Sequence, residues 1–349
     1  MSKADNQTLV SVIVPVFNGG KFLGVCLDAL SGSDYPKFEI IVVDDGSTDD
    51  SADIGRRKGA TVIESERRQS GPAAARNLAA KRAKGEILLF VDADVVVGSD
   101  TISNVVEAFC RYPEISALFG SYDDSPAEGN FLSQYKNLQH HFIHQTSNPE
   151  ASTFWAGLGA VRSDVFASLG GFDCVKFAVP SIEDIELGFR LRSAGHRILL
   201  DRSIQAKHLK KWTLVSLVKT EIFCRAAPWS KLILTSKGMI NDMNLKTTDR
   251  LSSVLVSISL LALPFLLWNP WLIVLPLFNL LAIAFLNRKI LLFFAVKKGS
   301  LFAALTFPWL VFYFFYSGVT FVLSWFRYAL PRILSLKKGE ELNGTGSIN

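Results

Sequence analysis

Residues 9–15, 39–43 and 86–91 form three short, largely apolar runs, each leading into polar or acidic residues. Runs without an apolar/polar alternation read as strands buried on both faces, the pattern of a parallel sheet. Between them the chain turns at Phe17-Asn18-Gly19-Gly20 into a helix around 22–30. It then continues through a helix around 49–58, a short strand over 61–64 and an alanine-rich helix over 72–83. Strands and helices alternating at this spacing predict a doubly wound, mostly parallel α/β sheet flanked by helices.

The pattern changes near residue 250. No charged residue occurs over 251–287, and none over 299–326. Such stretches predict membrane spans, here 251–268, 271–286 and 301–326, with Asn269-Pro270 folding the first two into a tight helical hairpin. Just before them, Trp212, Leu217, Phe223, Trp229 and Leu232 are interleaved with Lys219, Arg225 and Lys231. That mixture suits helices lying on a membrane surface; helices packed on a core with one wet face give the same pattern. The expected organisation is an α/β domain over 1–211, interfacial helices over 212–250, an all-α membrane region over 251–330, and a basic, disordered tail over 331–349.

Composition sharpens this. The 349 residues are 49% hydrophobic and carry a net charge of +5. Much of the basic excess lies beyond residue 250, where Arg288, Lys289, Lys297, Lys298, Arg327, Arg332, Lys337 and Lys338 face only Glu340 and Glu341. Basic residues flanking apolar spans fit the cytoplasmic, anionic-lipid side of a membrane, not nucleic acid. Three full spans would nevertheless separate 288–298 from 327–338, whereas the positive-inside rule wants both groups on one side. Either 301–326 is a re-entrant hairpin around Pro308 or Gly318, or 290–296 contributes an extra crossing. Cys26, Cys110, Cys174 and Cys224 have no CxxC spacing and read as thiols in a reducing compartment. The polar start, residues 1–8, has no signal-peptide pattern. The α/β domain is therefore expected on the cytoplasmic face of the cell's inner membrane, anchored by a multi-pass region.

Candidate chemistry begins at Asp92-Ala93-Asp94, two carboxylates one residue apart at the end of a buried strand. Open α/β sheets bind ligands there, and Asp-x-Asp suits a hard divalent cation and, through it, a diphosphate. Asp44-Asp45-Gly46-Ser47 ends the preceding long strand, where a carboxylate can accept from a ring nitrogen or a ribose hydroxyl; a turn followed by a helix cap has the same composition. Arg76 follows a Gly-Pro turn, placed either to face a phosphate or to sit as a solvated helix charge. Ser181-Ile182-Glu183-Asp184 has the form of a helix cap with an acidic third residue. His140 and His144 have i, i+4 spacing for a metal, but no carboxylate partner is near.

Taken in order, several motifs resemble the family 2 glycosyltransferases of the GT-A fold. They are Val12-Ile13-Val14-Pro15-Val16-Phe17-Asn18, Val42-Val43-Asp44-Asp45-Gly46-Ser47, Gly71-Pro72-Ala73-Ala74-Ala75-Arg76-Asn77, Phe90-Val91-Asp92-Ala93-Asp94, Leu169-Gly170-Gly171-Phe172-Asp173 and Glu183-Asp184. The resemblance covers roughly residues 9–212, and six ordered motifs carry it where each alone is weak.

The resemblance implies a nucleotide-sugar site. Asp44 and Asp45 would contact the base, with Pro15 and Phe17 as the wall beneath it, and Asp92 and Asp94 would hold the ribose and a Mn2+ or Mg2+ ion. His208 would add a nitrogen ligand that favours manganese. It opens His208-Leu209-Lys210-Lys211-Trp212, which resembles a Gln-x-x-Arg-Trp motif with two substitutions. Lys211 would then approach the diphosphate and Trp212 border the acceptor. Asp184 would be the general base of an inverting transfer.

The implied activity moves a sugar, UDP-linked, to a hydroxyl of a lipid or lipid-linked acceptor in cell-envelope polysaccharide or glycolipid synthesis. Its alternatives are a polyprenyl-phosphate glycosyltransferase, whose ionised acceptor needs no base, and a catalytically inactive nucleotide-sugar-binding membrane protein.

Overall fold

The computed structural model of the protein describes residues 8–66, 68–235, 243 and 246–330. The tail over 331–349 and nearly all of the polar start lie outside the described residues. The chain divides into two compact units, which meet between Thr213 and Leu214.

The first unit runs β1 (Val10–Val16), α1 (Gly20–Ser31), β2 (Phe38–Asp44), α2 (Ser51–Arg57), β3 (Thr61–Glu64), α3 (Gly71–Ala80), β4 (Ile87–Val91) and β5 (Val95–Val97). It continues through α4 (Thr101–Arg111), β6 (Ile115–Tyr122), α5 (Phe131–Thr146), β7 (Glu150–Ala151), β8 (Leu158–Arg162), α6 (Ser163–Ser168), α7 (Glu183–Ser193) and β9 (Arg197–His208). The strands form one sheet of order β3-β2-β1-β4-β8-β6-β9-β5, with β7 on β9. The strands read from the three apolar runs and the short strand over 61–64 are mutually parallel. Every residue of β4 is buried, because helices cover both faces of a doubly wound sheet.

The second half of the sheet departs from the all-parallel pattern. β8 is inserted antiparallel between β4 and β6, and β5 pairs antiparallel with β9. Gly159 permits the insertion: a Cβ there would meet the Trp155 carbonyl oxygen and the Phe154 ring. These two antiparallel ladders carry the chain back across the carboxyl ends of the parallel strands.

The second unit is helical: α8 (Leu214–Lys219), a π-helical turn (Thr220–Ala226), α9 (Ala227–Thr235), α10 (Thr247–Ala262), α11 (Val274–Leu286), α12 (Arg288–Lys298) and α13 (Ser300–Ser324). The hairpin expected at Asn269-Pro270 is present. Asn269 accepts the Trp271 amide at 3.1 Å, and the far end of the hairpin is closed by Asn287, whose amide donates to Ser252 Oγ at 3.0 Å. Asn279 likewise donates to Ser259 Oγ at 3.0 Å, pairing polar groups between otherwise apolar helices.

The expectation of three spans is only partly met. Thr247–Leu267 and Ser300–Ala329 are each long and apolar enough to cross a membrane, whereas Pro270–Leu286 qualifies only together with Arg288–Lys298, from which it is bent by 69°. A re-entrant hairpin at Pro308 or Gly318 is overturned. α13 runs unbroken through Pro308, and Gly318 packs near Ser253 and Ser257 of α10. The break lies instead at Asn287, between the helices on either side of the basic pair Arg288-Lys289. In the segment expected at the interface, Leu217, Glu221 and Ser230 are buried, while Val215 and Phe223 are exposed. Glu221 accepts from the Tyr316 hydroxyl at 2.9 Å and from Arg225 at 2.9 Å.

Candidate functional site

β1 lies between β2 and β4, so the strand order reverses beside it and a crevice opens at the carboxyl ends of β1 and β4. Phe17, one residue past β1, is 43% exposed there; Pro15 behind it is half-buried. Asp44 and Asp45 are both buried but differ in what they have left to offer. Asp45 accepts the Ser70 and Gly71 amides at 2.9 and 2.7 Å, one on each oxygen, so it clamps the loop that starts α3. Among the described residues Asp44 accepts only the Ser47 amide, on Oδ1. Its second oxygen is the one available to a ligand.

Arg76 is not a solvated helix charge. It shares the buried face of α3 with Ala73 and Ala79, and its side chain is 5% exposed. Its Nη2 donates to Asp92 Oδ1 at 2.7 Å and its Nη1 to Glu183 Oε1 at 3.0 Å. The guanidinium therefore ties the Asp-x-Asp loop to the first turn of α7. The Leu169-Gly170-Gly171-Phe172 turn holds it in place. Both glycines have positive φ, which favours glycine, and the turn brings Phe172 against α3. Asn77 and Phe172 exchange two hydrogen bonds of 2.8 Å, and the guanidinium lies 5.5 Å from the Phe172 ring centre. Burial raises the Asp92 pKa above the ordinary carboxylate value even though Arg76 pulls the other way.

Asp94 meets His208 through the antiparallel ladder: Val95 pairs with His208, and the Leu209 amide donates to the Asp94 carbonyl at 2.8 Å. The His208 Nε2 lies 3.4 Å from Asp94 Oδ2. Burial alone would raise the Asp94 pKa, but the His208 ring and Lys210 beside it hold it below its ordinary value. Among the described residues no group of three His, Cys, Asp or Glu side chains closes around a metal position. Asp94 and His208 do present an oxygen and a nitrogen donor toward one another, and Asp92 keeps Oδ2. An ion bound there would draw its remaining ligands from the substrate, as Mg2+ does at phosphate sites.

Asp184 sits in the first turn of α7, where its Oδ2 accepts the Ala156 amide at 3.1 Å and its Oδ1 the Ile185 amide at 2.8 Å. The Ala156 segment is common to both motifs, since the Asp92 amide donates to the Gly157 carbonyl at 3.2 Å. Burial and the adjacent Glu183 carboxylate push the Asp184 pKa up to about 7, against the Ala156 amide and Arg76. A helix amino terminus normally favours the anion; here burial and a like charge outweigh it. The cap pattern over 181–184 is formed in part. The Ser181 amide donates to Glu183 Oε2 at 2.9 Å, while the N-cap position itself, Ile182, offers no side-chain cap.

The structure therefore brings Arg76, Asp92, Glu183 and Asp184 into one network, with Asp94 and His208 beyond Ala93. Lys211 and Trp212 do not join it through any contact among the described residues. Lys211 is exposed, whereas Trp212 is 2% exposed and buried under α5. Its amide donates to Ser133 Oγ and its carbonyl accepts from Asn130, both at 2.8 Å. His141 and His144 donate from Nδ1 to the Tyr122 and Gly120 carbonyls at 2.8 and 3.2 Å, fastening α5 to β6. Sequence reasoning missed Glu183 as the partner of Arg76. The signal was an arginine three residues from alanines on either side, at the spacing of a buried helical face.

Residues 11–170 match the family model described as glycosyl transferase family 2. The poly(ribitol-phosphate) beta-glucosyltransferase of Bacillus spizizenii is 43% identical over 100 residues, covering 27% of this chain and 16% of that protein. The chain thus spans only a small part of that relative's length. The mannosyltransferase PcManGT from Pyrobaculum calidifontis, solved with GDP-Man and Mn2+, superposes with a TM-score of 0.52 at 21% identity, covering 90% of this chain and 86% of that one. Staphylococcus aureus TarS 1–349, solved with UDP-GlcNAc, gives 0.51 at 20% identity, covering 92% of each chain. At such identities the superpositions speak for the fold. Residues 11–170 are a glycosyl transferase family 2 domain, set in a unit with the GT-A fold.

Proposed function

We propose that the protein is a membrane-anchored, inverting glycosyltransferase that moves a sugar from a UDP-linked donor to a hydroxyl of a lipid or lipid-linked acceptor. The observation that carries this reading is the Arg76 bridge, which ties Asp92 to Glu183, the residue next to Asp184. Asp184 takes the proton from the acceptor hydroxyl as its oxygen attacks the anomeric carbon from the face opposite the diphosphate. The bond from that carbon to the departing phosphate oxygen breaks, and the nucleoside diphosphate leaves with the electron pair. A carboxyl pushed up to about 7 is a stronger base than an ordinary carboxylate while remaining ionised at slightly alkaline pH. Phe17 and the free oxygen of Asp44 would take the base and ribose. Asp94 and His208, with Asp92, would hold Mn2+ or Mg2+, whose positive charge stabilises the leaving diphosphate.

Anchoring is supported by the two apolar helices. The turn between α10 and α11 also exposes Leu267, Trp268 and Trp271 at 87%, 78% and 81%. Tryptophans at a hairpin tip suit a membrane interface. In this reading the GT-A unit faces the cytoplasm, where nucleotide sugars are made, and a membrane-resident chain gives a lipid-borne acceptor direct access.

Asp184→Asn tests the reading. Transfer should fall by about 100-fold or more, while UDP-sugar binding with Mn2+, measured by calorimetry on detergent-solubilised protein, stays within a few-fold. Retained transfer would point to an already ionised phosphate acceptor. Loss of donor binding would remove Asp184 from the role of base.

A further inference from the structure

His208 ends β9, and Asn137 lies in the middle of α5, 71 residues earlier. His208 Nδ1 is 2.9 Å from Asn137 Oδ1, and both residues are buried. A carboxamide oxygen only accepts hydrogen bonds, so the ring nitrogen facing it must carry a proton. A neutral imidazole has one such proton, so the opposite nitrogen, Nε2, is left with a bare lone pair. That nitrogen is the one 3.4 Å from Asp94 Oδ2.

In the neutral ring two electron-rich atoms therefore face each other across 3.4 Å, a position that takes either a second ring proton or a metal cation. The ring cannot easily turn away. It is stacked on Tyr122 with centroids 4.3 Å apart and planes 10° from parallel, and Tyr122 is packed edge-on to Trp155 at 4.7 Å. Asparagine in mid-helix lowers helix propensity, and at 2% exposure Asn137 has no solvent role to justify it.

We infer that Asn137 is a positioning residue for a divalent cation: it fixes the His208 proton on Nδ1, so that Nε2 joins Asp94 as an unprotonated ligand. The inference rests on the cation reading of Asp94 and His208 proposed above. Hydrogen bonds to the far side of a metal-binding imidazole set its tautomer and orientation, and removing them weakens metal binding by about 10- to 100-fold. With the carboxamide turned over, the Asn137 NH2 would donate to Nδ1 and the proton would move to Nε2. His208 would then donate to Asp94, and the pair would close on itself and exclude a cation.

The test uses the full chain in detergent with two readouts. In the first, 15N-histidine NMR of the unmodified, metal-free protein assigns the His208 tautomer by difference from His208→Gln. A protonated Nδ1 with a bare Nε2 is expected; a protonated Nε2 in the neutral ring would overturn the inference without any need for a foldable variant at position 137. In the second, Mn2+ is titrated in the presence of UDP and followed by the EPR signal of free Mn2+. Asn137→Leu should bind about 10- to 100-fold more weakly, as should His208→Gln, while Asn137→Asp, which keeps an acceptor facing Nδ1, should stay within a few-fold of the unmodified protein. If Asn137→Leu keeps full affinity while His208→Gln loses it, Asn137 is structural and the inference fails. If His208→Gln also keeps full affinity, the cation reading of His208 falls with it.

Discussion

Replacing Arg76 with methionine removes the one charge that links Asp92 to Glu183 and leaves a side chain of similar length that cannot donate. The size of the effect follows from burial. The Arg76 and Glu183 side chains are 5% and 6% exposed, and leaving such a carboxylate unpaired costs about 3–5 kcal/mol. Asp92 is 36% exposed, so losing that pair adds only about 0.5 kcal/mol. The destabilisation should therefore be about 3–5 kcal/mol. Thermal unfolding in detergent, followed by tryptophan fluorescence, should show Tm lowered by on the order of 10 °C. Adding Glu183→Gln to Arg76→Met should recover more than half of the loss, since the unpaired charge is gone. An unchanged Tm in Arg76→Met, or no recovery in the double variant, would refute the assignment of Arg76 as the counter-charge of Glu183.

Two further expectations concern Asp184. Turnover should rise with pH along an acid limb with an apparent pKa near 7; a limb near 4 in the pH–rate profile would argue against Asp184 as the base. A folded-state pKa raised to about 7 means the fold favours protonated Asp184. That contribution is fully present below about pH 4 and is lost as pH climbs through 7. Asp184→Asn should accordingly gain in Tm relative to the unmodified protein between pH 5 and pH 8, and a constant difference would sink the assignment. Gly188→Ala probes how α7 is seated. The added Cβ would meet the Phe154 amide nitrogen and the Thr153 backbone, so α7 must shift, at a cost of about 1–3 kcal/mol. Turnover should fall while donor affinity holds; an unchanged kcat would mean that the seating of α7 does not matter to Asp184.

Local sequence determined much of this protein. Apolar runs specified β1, β2 and β4 because burial on both faces leaves no alternation to misread, and Glu64, Val91 and Asp44 end their strands within a residue of expectation. Charge-free stretches specified α10, α11 and α13 for the same reason: a long apolar segment has few places to go. The motif carboxylates were legible as well, since strand ends in such sheets point to the crevice. What pairs with them was not. Arg76 reaches Asp92 and Glu183, 16 and 107 residues away, and nothing in the alanine-rich helix tells a buried guanidinium from a solvated one. Asp94 meets His208 only because β5 and β9 run antiparallel, a pairing between segments more than 100 residues apart. The hydrogen bond from His208 to Asn137 exists only once α5 lies against β6 and β9. Whether Asp184 is an ordinary carboxylate or one pushed up to about 7 was also decided there, because desolvation and a neighbour's charge are properties of the packed site. Propensity and hydropathy act over a few residues and can be read in the chain; ion pairing, tautomer and pKa depend on groups that only the tertiary fold brings together.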